Sequence, residues 1–367
     1  MATPVLRAIR ARFGRASVTF LAVPNLVGLI EDGPWMDEVV VWPGRGRKSS
    51  VADFIAVVRR LRRQKFDLAV LLPNSFRSGL MARLAGARRR VGYDRDGRGW
   101  LLTDRLAVPR VNGEIQPHPI CKYYADIARA LGCEEPGDRL ELFTNPECEA
   151  SVDRRLQALG VSQGWSARRP TRDRGWSARR TLRDTGGTRG GALVVVSPGA
   201  SFGASKLWLC ERFAELGDRL IAEHGAAVVV ICGPGEEGIA RQIGETMRGQ
   251  GRVLDDPLLT LGELKALIKR CDLLVCNDAG PRHIAKAFGA AVATVFGPTH
   301  QAWTDTAYPL ERKVQIEVDC GPCQKKVCPF DHHKCMTGVS VDMVYERCLE
   351  LLEARRQQPR PQEAALQ

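Results

Sequence analysis

The first half of the chain alternates short apolar runs with segments of helical periodicity. Three runs rich in β-branched residues predict strands over residues 18–23, 38–42 and 66–72. Residues 51–64 predict a helix, because their apolar side chains recur at the spacing that places them on one helix face. That face carries Phe54, Val57, Val58 and Leu61, and the opposite face carries arginines. Strands that alternate with helices predict a parallel sheet covered by helices.

The second half repeats this alternation with more regular spacing. Predicted strands and the loops that follow them cover residues 192–201, 226–237, 271–280 and 291–299. Predicted helices cover 209–224, a segment ending near 248, 261–270 and a segment starting near 281. Every predicted strand ends in a loop containing glycine or proline. Since ligands of doubly wound sheets bind at the carboxyl ends of the strands, this half predicts a nucleotide-binding domain.

A length of 367 residues favours about two domains. We expect an α/β domain over residues 1–150, a second one over 191–357 and a tail over 358–367. Between the two domains, residues 151–190 contain an eleven-residue tandem duplication that begins at Gly164 and are rich in Arg, Thr and Gly. A segment that buries so little apolar surface cannot offset the entropy lost on ordering, so we expect a flexible insertion.

The net charge of +12 indicates an anionic partner, such as a phosphorylated substrate, a lipid surface or nucleic acid. Much of the charge lies in arginine runs, at 59–63, 88–90 and 164–190, and each run is more typical of a solvated face than of a binding surface. No stretch approaches the roughly 20 apolar residues of a membrane helix. The N-terminus lacks the features of a signal peptide, so we expect a cytoplasmic protein.

The segment CNDAGPRHIA, residues 276–285, lies where a predicted strand meets a predicted helix. The amides of Ala279 and Gly280 would lie at the helix N-terminus, where unpaired N–H groups and the helix dipole favour a phosphate. Asp278 is suited to accept hydrogen bonds from sugar hydroxyls, and His283 to donate one to a phosphate oxygen. By themselves these residues fit equally well an N-cap aspartate and a surface histidine.

Two further loops favour the ligand-binding interpretation. Residues 197–208, SPGASFGASKLW, combine small residues and hydroxyls, among them Ser201, with Lys206, which suits close approach to phosphates. This loop is neither a Walker A motif nor a GxGxxG fingerprint. In CGPGEE, Glu236 or its neighbour Glu237 could bind a ribose hydroxyl, although a glutamate in a first helical turn more often complements the helix dipole.

Five motifs in this order and spacing resemble the ADP-heptose:lipopolysaccharide heptosyltransferases of glycosyltransferase family 9, and most of all the heptosyltransferase II type. They are SPGASFGASKLW, GPGEE, CNDAGPRHIA, VFGPT and CGPCQKKVCPFDHHKCM. Residues 71–102 resemble the loop, helix and strand of the first domain of that family, and their loop supplies the acceptor-side candidates Asn74, Ser75 and Arg77. The resemblance covers nearly the whole chain apart from 151–190 and the tail.

The resemblance implies a GT-B fold, in which two Rossmann-like domains face a cleft with the donor bound by the second domain and the acceptor by the first. It implies transfer of heptose with inversion from ADP-heptose to a hydroxyl of the lipopolysaccharide inner core, without a metal or other cofactor. Such an acceptor is an anionic lipid, which implies loose association with the cytoplasmic face of the inner membrane. The donor-binding residues implied are Ser201, Lys206, Glu236, Asp278, Ala279, Gly280 and His283.

The resembled family opens with an apolar strand and a loop whose aspartate is the proposed general base. This chain begins with MATPVLRAIRARF, which resembles the helix after that loop, so we name no catalytic residue. The strand concerned lies in the middle of a Rossmann sheet, and its absence predicts a gap. Our hypothesis is that Met1 is an internal methionine of a longer chain. The alternative is an inactive paralogue.

A cysteine cluster follows the last predicted strand. Its members, Cys320, Cys323, Cys328 and Cys335, have the spacing C-x2-C-x4-C-x6-C with two nearby histidines. Such a CxxC opening suits a tetrahedral zinc site, but the second pair is not CxxC. Since the resemblance supplies these cysteines without requiring a metal, we favour a packing or acceptor-side role over zinc.

Two other classes of protein remain to be weighed against a heptosyltransferase. One is a basic, cysteine-rich nucleic-acid-binding protein, and it leaves the four strands with glycine- or proline-containing loops unexplained. We therefore expect no nucleic-acid partner. The other is a GT-B transferase for a different nucleotide sugar, because a few pocket contacts decide which sugar is bound.

Overall fold

The computed structural model describes residues 1–43, 50–112, 114–115, 118–161, 191–249 and 251–357. The chain divides into two units, of which the first holds Met1–Phe143 with His300–Ala307 and the second holds Thr144–Thr299 with Tyr308–Gln367. Most of the predicted insertion, including the tandem duplication, and the predicted tail lie outside the described residues.

The first unit is built from short strands and five helices among its described residues. Its helices are α1 (Thr3–Arg12), α2 (Pro24–Ile30), α3 (Val51–Arg63), α4 (Phe76–Leu84) and α5 (Ile120–Ala130). Its strands are β1 (Thr19–Ala22), β2 (Glu38–Val41), β3 (Leu68–Val70), β4 (Arg89–Tyr93), β5 (Asp104–Leu106), β6 (Arg110–Val111) and β7 (Glu114–Ile115). The three strands predicted in this half correspond to β1, β2 and β3, so their prediction is confirmed.

The parallel strands of the first unit lie in two separate sheets. Strands β1 and β2 pair in parallel, while β3, β4 and β5 form a second parallel sheet in that order. The two short strands β6 and β7 pair antiparallel. Among the described residues no strand joins the two parallel sheets.

Helix α3 shows how the sequence pattern fixes local structure in this unit. Its N-terminus is a capping box, in which Ser50 and Asp53 satisfy each other's backbone N–H groups. Val57 and Leu61 are buried against the core, whereas the arginines of the other face are exposed. The predicted amphipathic helix is therefore confirmed.

The second unit is a layered α/β domain. Its helices are α6 (Pro146–Ala158), α7 (Cys210–His224), α8 (Glu237–Thr246), α9 (Leu261–Arg270), α10 (Gly280–Phe288), α11 (Lys334–Thr337) and α12 (Val341–Gln357). Its strands are β8 (Leu193–Ser197), β9 (Ala227–Ile231), β10 (Arg252–Leu254), β11 (Leu273–Asn277), β12 (Ala291–Val295) and β13 (Glu311–Val314). Within the described ranges of both units, no helix is long and apolar enough to cross a membrane.

The six strands of the second unit form one parallel sheet in the order β10-β9-β8-β11-β12-β13. Every residue of β8, β9, β11 and β12 is buried, which explains why these four strands could be predicted as apolar runs. The sequence analysis did not predict β10 and β13, because these edge strands are short and carry charged residues. The order reverses between β8 and β11, which is the switch point of a doubly wound sheet.

Helix α6 corrects the predicted boundary between the domains. The predicted flexible insertion begins at residue 151, but residues 151–158 continue a helix that belongs to the second unit. Asn145 caps this helix, and Val152 and Leu156 bury one of its faces. The prediction was wrong there because Val152 and Leu156, spaced about one turn apart, give the start of this arginine-rich segment an apolar helix face.

Candidate functional site

The loops after β8 and β11 meet at the switch point of the second sheet. Asn277, the last residue of β11, fixes them together through both ends of its side-chain amide. Its Nδ2 donates to the carbonyl oxygen of Pro198 over 2.6 Å, and its Oδ1 accepts from the backbone N–H of Trp208 over 3.3 Å. Because Asn277 is fully buried, the two loops are held in a fixed relation at the edge of the sheet where ligands bind in doubly wound folds.

Asp278 is the centre of this arrangement, and its carboxylate is held by three side chains. Lys206 Nζ lies 2.5 Å from Oδ2 and 3.1 Å from the backbone oxygen of Asp278. The hydroxyl of Thr299 donates to Oδ2 over 2.9 Å, and Arg282 Nη1 donates to Oδ1 over 3.0 Å. Burial opposes ionisation of Asp278, but the hydrogen bond and charge of Lys206, with Arg282, hold its pKa below the ordinary value.

Behind Asp278 lies a second buried carboxylate, Glu311 of β13. Arg282 binds it with two nitrogens, one of them Nη2 at 3.2 Å from Oε2, and Lys286 Nζ lies 2.7 Å from the same oxygen. Thr294 donates its hydroxyl to Oε1 over 3.1 Å. Burial lowers the pKa of Lys286 to about 8, with Arg282 adding to the effect.

The N-terminus of α10 presents backbone N–H groups beside this network. Ala279 is the N-cap residue, no side chain caps the helix, and Gly280 is exposed with open space where a Cβ would stand. Such a terminus favours an anion, because its first amides lack helical partners. Pro281 does not disturb the helix, since proline is tolerated in the first turn.

His283 lies one turn into α10 and is partly buried. Its Nδ1 is buried and has no hydrogen-bond partner among the described residues. Burial and the neighbouring charge of Arg282 hold the pKa of His283 well below the usual range, so the ring is neutral at physiological pH. A neutral imidazole can donate one hydrogen bond, for example to a phosphate oxygen, without adding a positive charge.

The two other predicted donor residues lie on neighbouring loops of the same unit. Ser201 is exposed in the loop after β8, and Phe202 beside it places its ring 4.8 Å from Lys206 Nζ. Glu236 precedes α8, where its Oε2 accepts a hydrogen bond from the N–H of Gly233 over 2.9 Å. The structure thus brings Lys206 and Asp278 together and sets Glu236 on the adjacent loop.

The loop that contains Cys320, Cys323 and Cys328 of the cysteine cluster packs against the loop that carries Lys206. Ser205 donates its N–H to the carbonyl oxygen of Lys326 over 3.1 Å and its hydroxyl to the carbonyl oxygen of Lys325 over 2.6 Å. His333 Nε2 lies 2.7 Å from the carbonyl oxygen of Ser205. The contacts support the predicted packing role and place it on the lysine loop of the second unit.

Three cysteines of the cluster lie in this loop, and the fourth, Cys335, lies in α11. Burial raises the pKa of Cys335, and the nearby thiols of Cys323, Cys320 and Cys328 raise it further. Cys320 Sγ lies 4.0 Å from His332 Nε2. In the described part of the chain, no group of three or more histidine, cysteine or carboxylate side chains is arranged to hold a metal ion.

The acceptor-side candidates of the first unit lie at the carboxyl end of β3, and each has local partners. Asn74 Oδ1 accepts from Tyr123 Oη over 3.1 Å and from Arg98 Nη2 over 3.3 Å. Ser75 is the N-cap of α4. Arg77 stacks on two aromatic rings, one of them Trp42 at 4.8 Å. The sequence analysis missed Arg98, a fully buried arginine that binds this loop.

The fold and these strand-end residues define a doubly wound α/β protein, the class in which nucleotides bind at the switch point. Residues 54–334 match the family model for glycosyltransferase family 9 (heptosyltransferase). The chain belongs to this family, and the resemblance stated from its motifs is confirmed.

Relatives and solved structures agree with this assignment. A lipooligosaccharide heptosyltransferase 2 of Campylobacter jejuni is 29% identical over 168 residues, which are 45% of this chain and 52% of that protein, so the chain spans about half the length of this relative. The crystal structure of a family 9 glycosyltransferase from Veillonella parvula has a TM-score of 0.76 at 20% identity and covers 96% of this chain and 93% of that chain.

A structure of the E. coli ADP-heptose lipopolysaccharide heptosyltransferase II has a TM-score of 0.72 at 20% identity, with 96% of this chain and 94% of that chain covered. At such identities the two structures establish the fold. The expected α/β fold of the GT-B class is confirmed.

Proposed function

We propose that this protein transfers heptose from ADP-heptose to a hydroxyl of the lipopolysaccharide inner core. The observation that carries the proposal is the buried pair of Lys206 and Asp278 beside the uncapped N-terminus of α10. This pair occupies the switch point of the donor-side sheet in a member of the heptosyltransferase family. The choice of heptose as the sugar, ADP as its carrier and lipopolysaccharide as the acceptor follows the names of the relatives in C. jejuni and E. coli.

In this proposal the second unit holds the donor through its charged groups. The diphosphate lies against the amides of Ala279 and Gly280, with Lys206 and His283 as side-chain donors. The heptose hydroxyls donate to Asp278. Glu236, on the adjacent loop, accepts from the ribose, and Ser201 is exposed close to the same ligand. The arrangement suits a dianionic diphosphate because helix amides and an ammonium both stabilise negative charge.

The transfer we propose proceeds with inversion and without a metal ion. The acceptor oxygen attacks the anomeric carbon of the heptose, a new C–O bond forms, and the bond to the ADP oxygen breaks on the opposite face. Negative charge then develops on the diphosphate, where the fixed amides of α10 and Lys206 can stabilise it. The hydroxyl proton passes to a base that we leave unassigned.

We place the acceptor on the first unit. Asn74 and Ser75 lie in the loop after β3, and Arg77 follows them in α4. Arginines suit an acceptor that carries carboxylates and phosphates. Such an acceptor is a lipid, so we propose that the protein works in the cytoplasm and associates loosely with the cytoplasmic face of the inner membrane.

Donor binding and transfer can be tested separately. Calorimetry with ADP, ADP-heptose, UDP and GDP should show binding of the ADP compounds only. The Lys206→Met variant should bind them at least tenfold more weakly, whereas Lys325→Met in the neighbouring loop should bind them as the wild type does. Mass spectrometry of a heptose-bearing core acceptor should then show addition of one heptose with EDTA present, and NMR should show an inverted anomeric centre. Binding of UDP or GDP in preference to ADP, or transfer abolished by EDTA, would contradict the proposal.

A further inference from the structure

Asp278 receives positive charge from two different parts of the second unit. Lys206 comes from the loop after β8 and binds Oδ2, whereas Arg282 comes from α10 and binds Oδ1. The carboxylate is itself 8% exposed, so it depends on these partners rather than on water. One of the two cations is expected to change partner when a diphosphate binds.

The two cations differ in how firmly they are held. Arg282 is fully buried, pairs with Glu311 on β13 and lies with its guanidinium carbon 4.8 Å from the centre of the Phe296 ring. Lys206 lies at the edge of the sheet with a side chain that is 10% exposed, and its flexible stem carries the ammonium. Lys206 can therefore move toward a ligand, and Arg282 cannot.

We propose that Arg282, fixed by Glu311, is a positioning residue that keeps Asp278 charged and in place when a bound diphosphate draws Lys206 away. This inference rests on the proposed donor site. Arg282 does not touch the donor in this scheme. Because Arg282 stays bound to Asp278, the ammonium of Lys206 can bind Asp278 in the free protein and the diphosphate in the complex.

The physical reason is the cost of leaving a buried carboxylate without a cation. Removing one partner of a buried ion pair is strongly destabilising, because the remaining charge is uncompensated. Without Arg282, movement of Lys206 would leave Asp278 with the Thr299 hydroxyl as its remaining side-chain donor of those described above. Binding of the donor would then be weaker, because it would leave the Asp278 carboxylate without a cation.

The test compares Arg282→Met with Lys286→Met. Both substitutions remove a buried cation that pairs with Glu311, but only Arg282 contacts Asp278. The dissociation constant of ADP, measured by calorimetry on the full chain, should rise at least tenfold for Arg282→Met and by less than threefold for Lys286→Met. If Arg282→Met fails to fold, Arg282→Lys serves instead, with a smaller rise in the same direction.

A double-mutant cycle gives a measure that general structural damage would not reproduce. In an Asp278→Asn background there is no carboxylate to compensate, so adding Arg282→Met should change the dissociation constant of ADP by less than threefold. Additive effects in the cycle, or equal losses in the two methionine variants, would overturn the positioning role while leaving the proposed function intact. If wild-type protein binds ADP but transfers no heptose, the proposed function fails and the cycle still decides the inference. If the wild-type protein binds no ADP, both fail.

Discussion

The carboxylate of Glu236 lies against the α-carbon of Gly199. A Cβ built on Gly199 would lie 1.8 Å from Glu236 Oε2, the oxygen that accepts the N–H of Gly233. The loops after β8 and β9 therefore approach each other as closely as they do because residue 199 has no side chain. This approach sets the proposed ribose-binding carboxylate beside the loop that leads to Lys206.

We predict that Gly199→Ala displaces Glu236 and weakens donor binding. The added methyl group overlaps the carboxylate, which lies at the end of a flexible side chain and can turn away at the loss of its hydrogen bond from the Gly233 N–H, a cost of about 0.5–1.5 kcal/mol of unfolding free energy. Urea denaturation should show that loss, and calorimetry should show a dissociation constant for ADP that rises about tenfold, the equivalent of roughly 1.4 kcal/mol.

Two further variants identify the cause of that effect. Gly280→Ala places its methyl group in open space, so its unfolding free energy should equal that of the wild type. Glu236→Ala removes the same hydrogen bond to Gly233, so adding it to Gly199→Ala should lower neither the stability nor the ADP affinity further. Losses of stability that add in the double variant would show that Glu236 is not the group displaced.

Lys206→Met should reduce donor affinity more than stability. Methionine keeps an apolar stem beside Phe202 but lacks the charge, and a hydrogen bond to a charged group is worth about 1.5–3 kcal/mol, so the dissociation constant of ADP should rise tenfold or more. Asp278 retains Arg282 and Thr299, so the loss of unfolding free energy should stay below the ~3–5 kcal/mol of a broken buried pair. Calorimetry and urea denaturation on one preparation measure both.

The matched control for this prediction is Lys325→Met. The side chain of Lys325 is exposed, and its backbone carbonyl, which binds Ser205, survives the substitution. We expect wild-type ADP affinity and stability for this control. Equal losses in the two lysine variants would mean that net charge, and not the position of Lys206, determines ADP binding.

His283 should make the protein less stable as the pH falls below about 6.5, the unperturbed histidine pKa. Burial holds the pKa of His283 in the folded protein well below that value, so the unfolded chain binds more protons than the folded chain in this range. The contribution of His283 to the unfolding free energy is therefore complete above the pKa of a histidine in the unfolded chain. It is lost as the pH decreases, by up to about 1.4 kcal/mol per pH unit.

The measurement is urea denaturation at several pH values between 5 and 8, an interval chosen to bracket the ordinary histidine pKa of about 6.5. His283→Asn should flatten the dependence of unfolding free energy on pH. Identical slopes for wild type and His283→Asn would contradict the prediction.

The sequence was enough to predict those parts of the second unit that follow from the local pattern of apolar and polar residues. Strands buried on both faces appear as apolar runs, and loops at their carboxyl ends carry the residues that bind ligands. This is why Lys206 and Asp278, which are 72 residues apart, could be assigned to one site before their contact was seen. The motif resemblance gave the same residues and the same fold.

The partners of that pair could not be predicted in the same way. Arg282 and Glu311 lie 29 residues apart, and Glu311 belongs to an edge strand that was itself not predicted. Neither hydrophobic periodicity nor secondary-structure propensity indicates that a charged residue of a short strand will be buried against another charge. The pairing of Arg282 with Glu311 could be identified only from the folded chain.

Arg98 is the buried arginine of the first unit, and we predict that Arg98→Met destabilises the loop that holds the acceptor-side candidates. Its guanidinium donates to the carbonyl oxygens of Tyr93 and Pro73 and to Asn74 Oδ1. Asn74 Oδ1 keeps Tyr123 as a donor and the Pro73 carbonyl keeps the Ser78 hydroxyl, so the main loss is at the buried Tyr93 carbonyl. A buried acceptor left without its donor costs about 1–3 kcal/mol, and removing Arg98 should lower the unfolding free energy by about that amount.

The control is Arg88→Met, which breaks an ion pair with Asp67 whose side chains are 83% and 85% exposed. Exposed pairs contribute about 0–1 kcal/mol, so this variant should unfold close to the wild type. Because the proposed donor residues all lie in the second unit, ADP affinity should be retained in both variants at temperatures where they are folded. The KM for the acceptor should rise in Arg98→Met alone, since Asn74 and Ser75 lose their support there. If Arg98→Met matches Arg88→Met in both stability and acceptor KM, the buried guanidinium does not organise this loop.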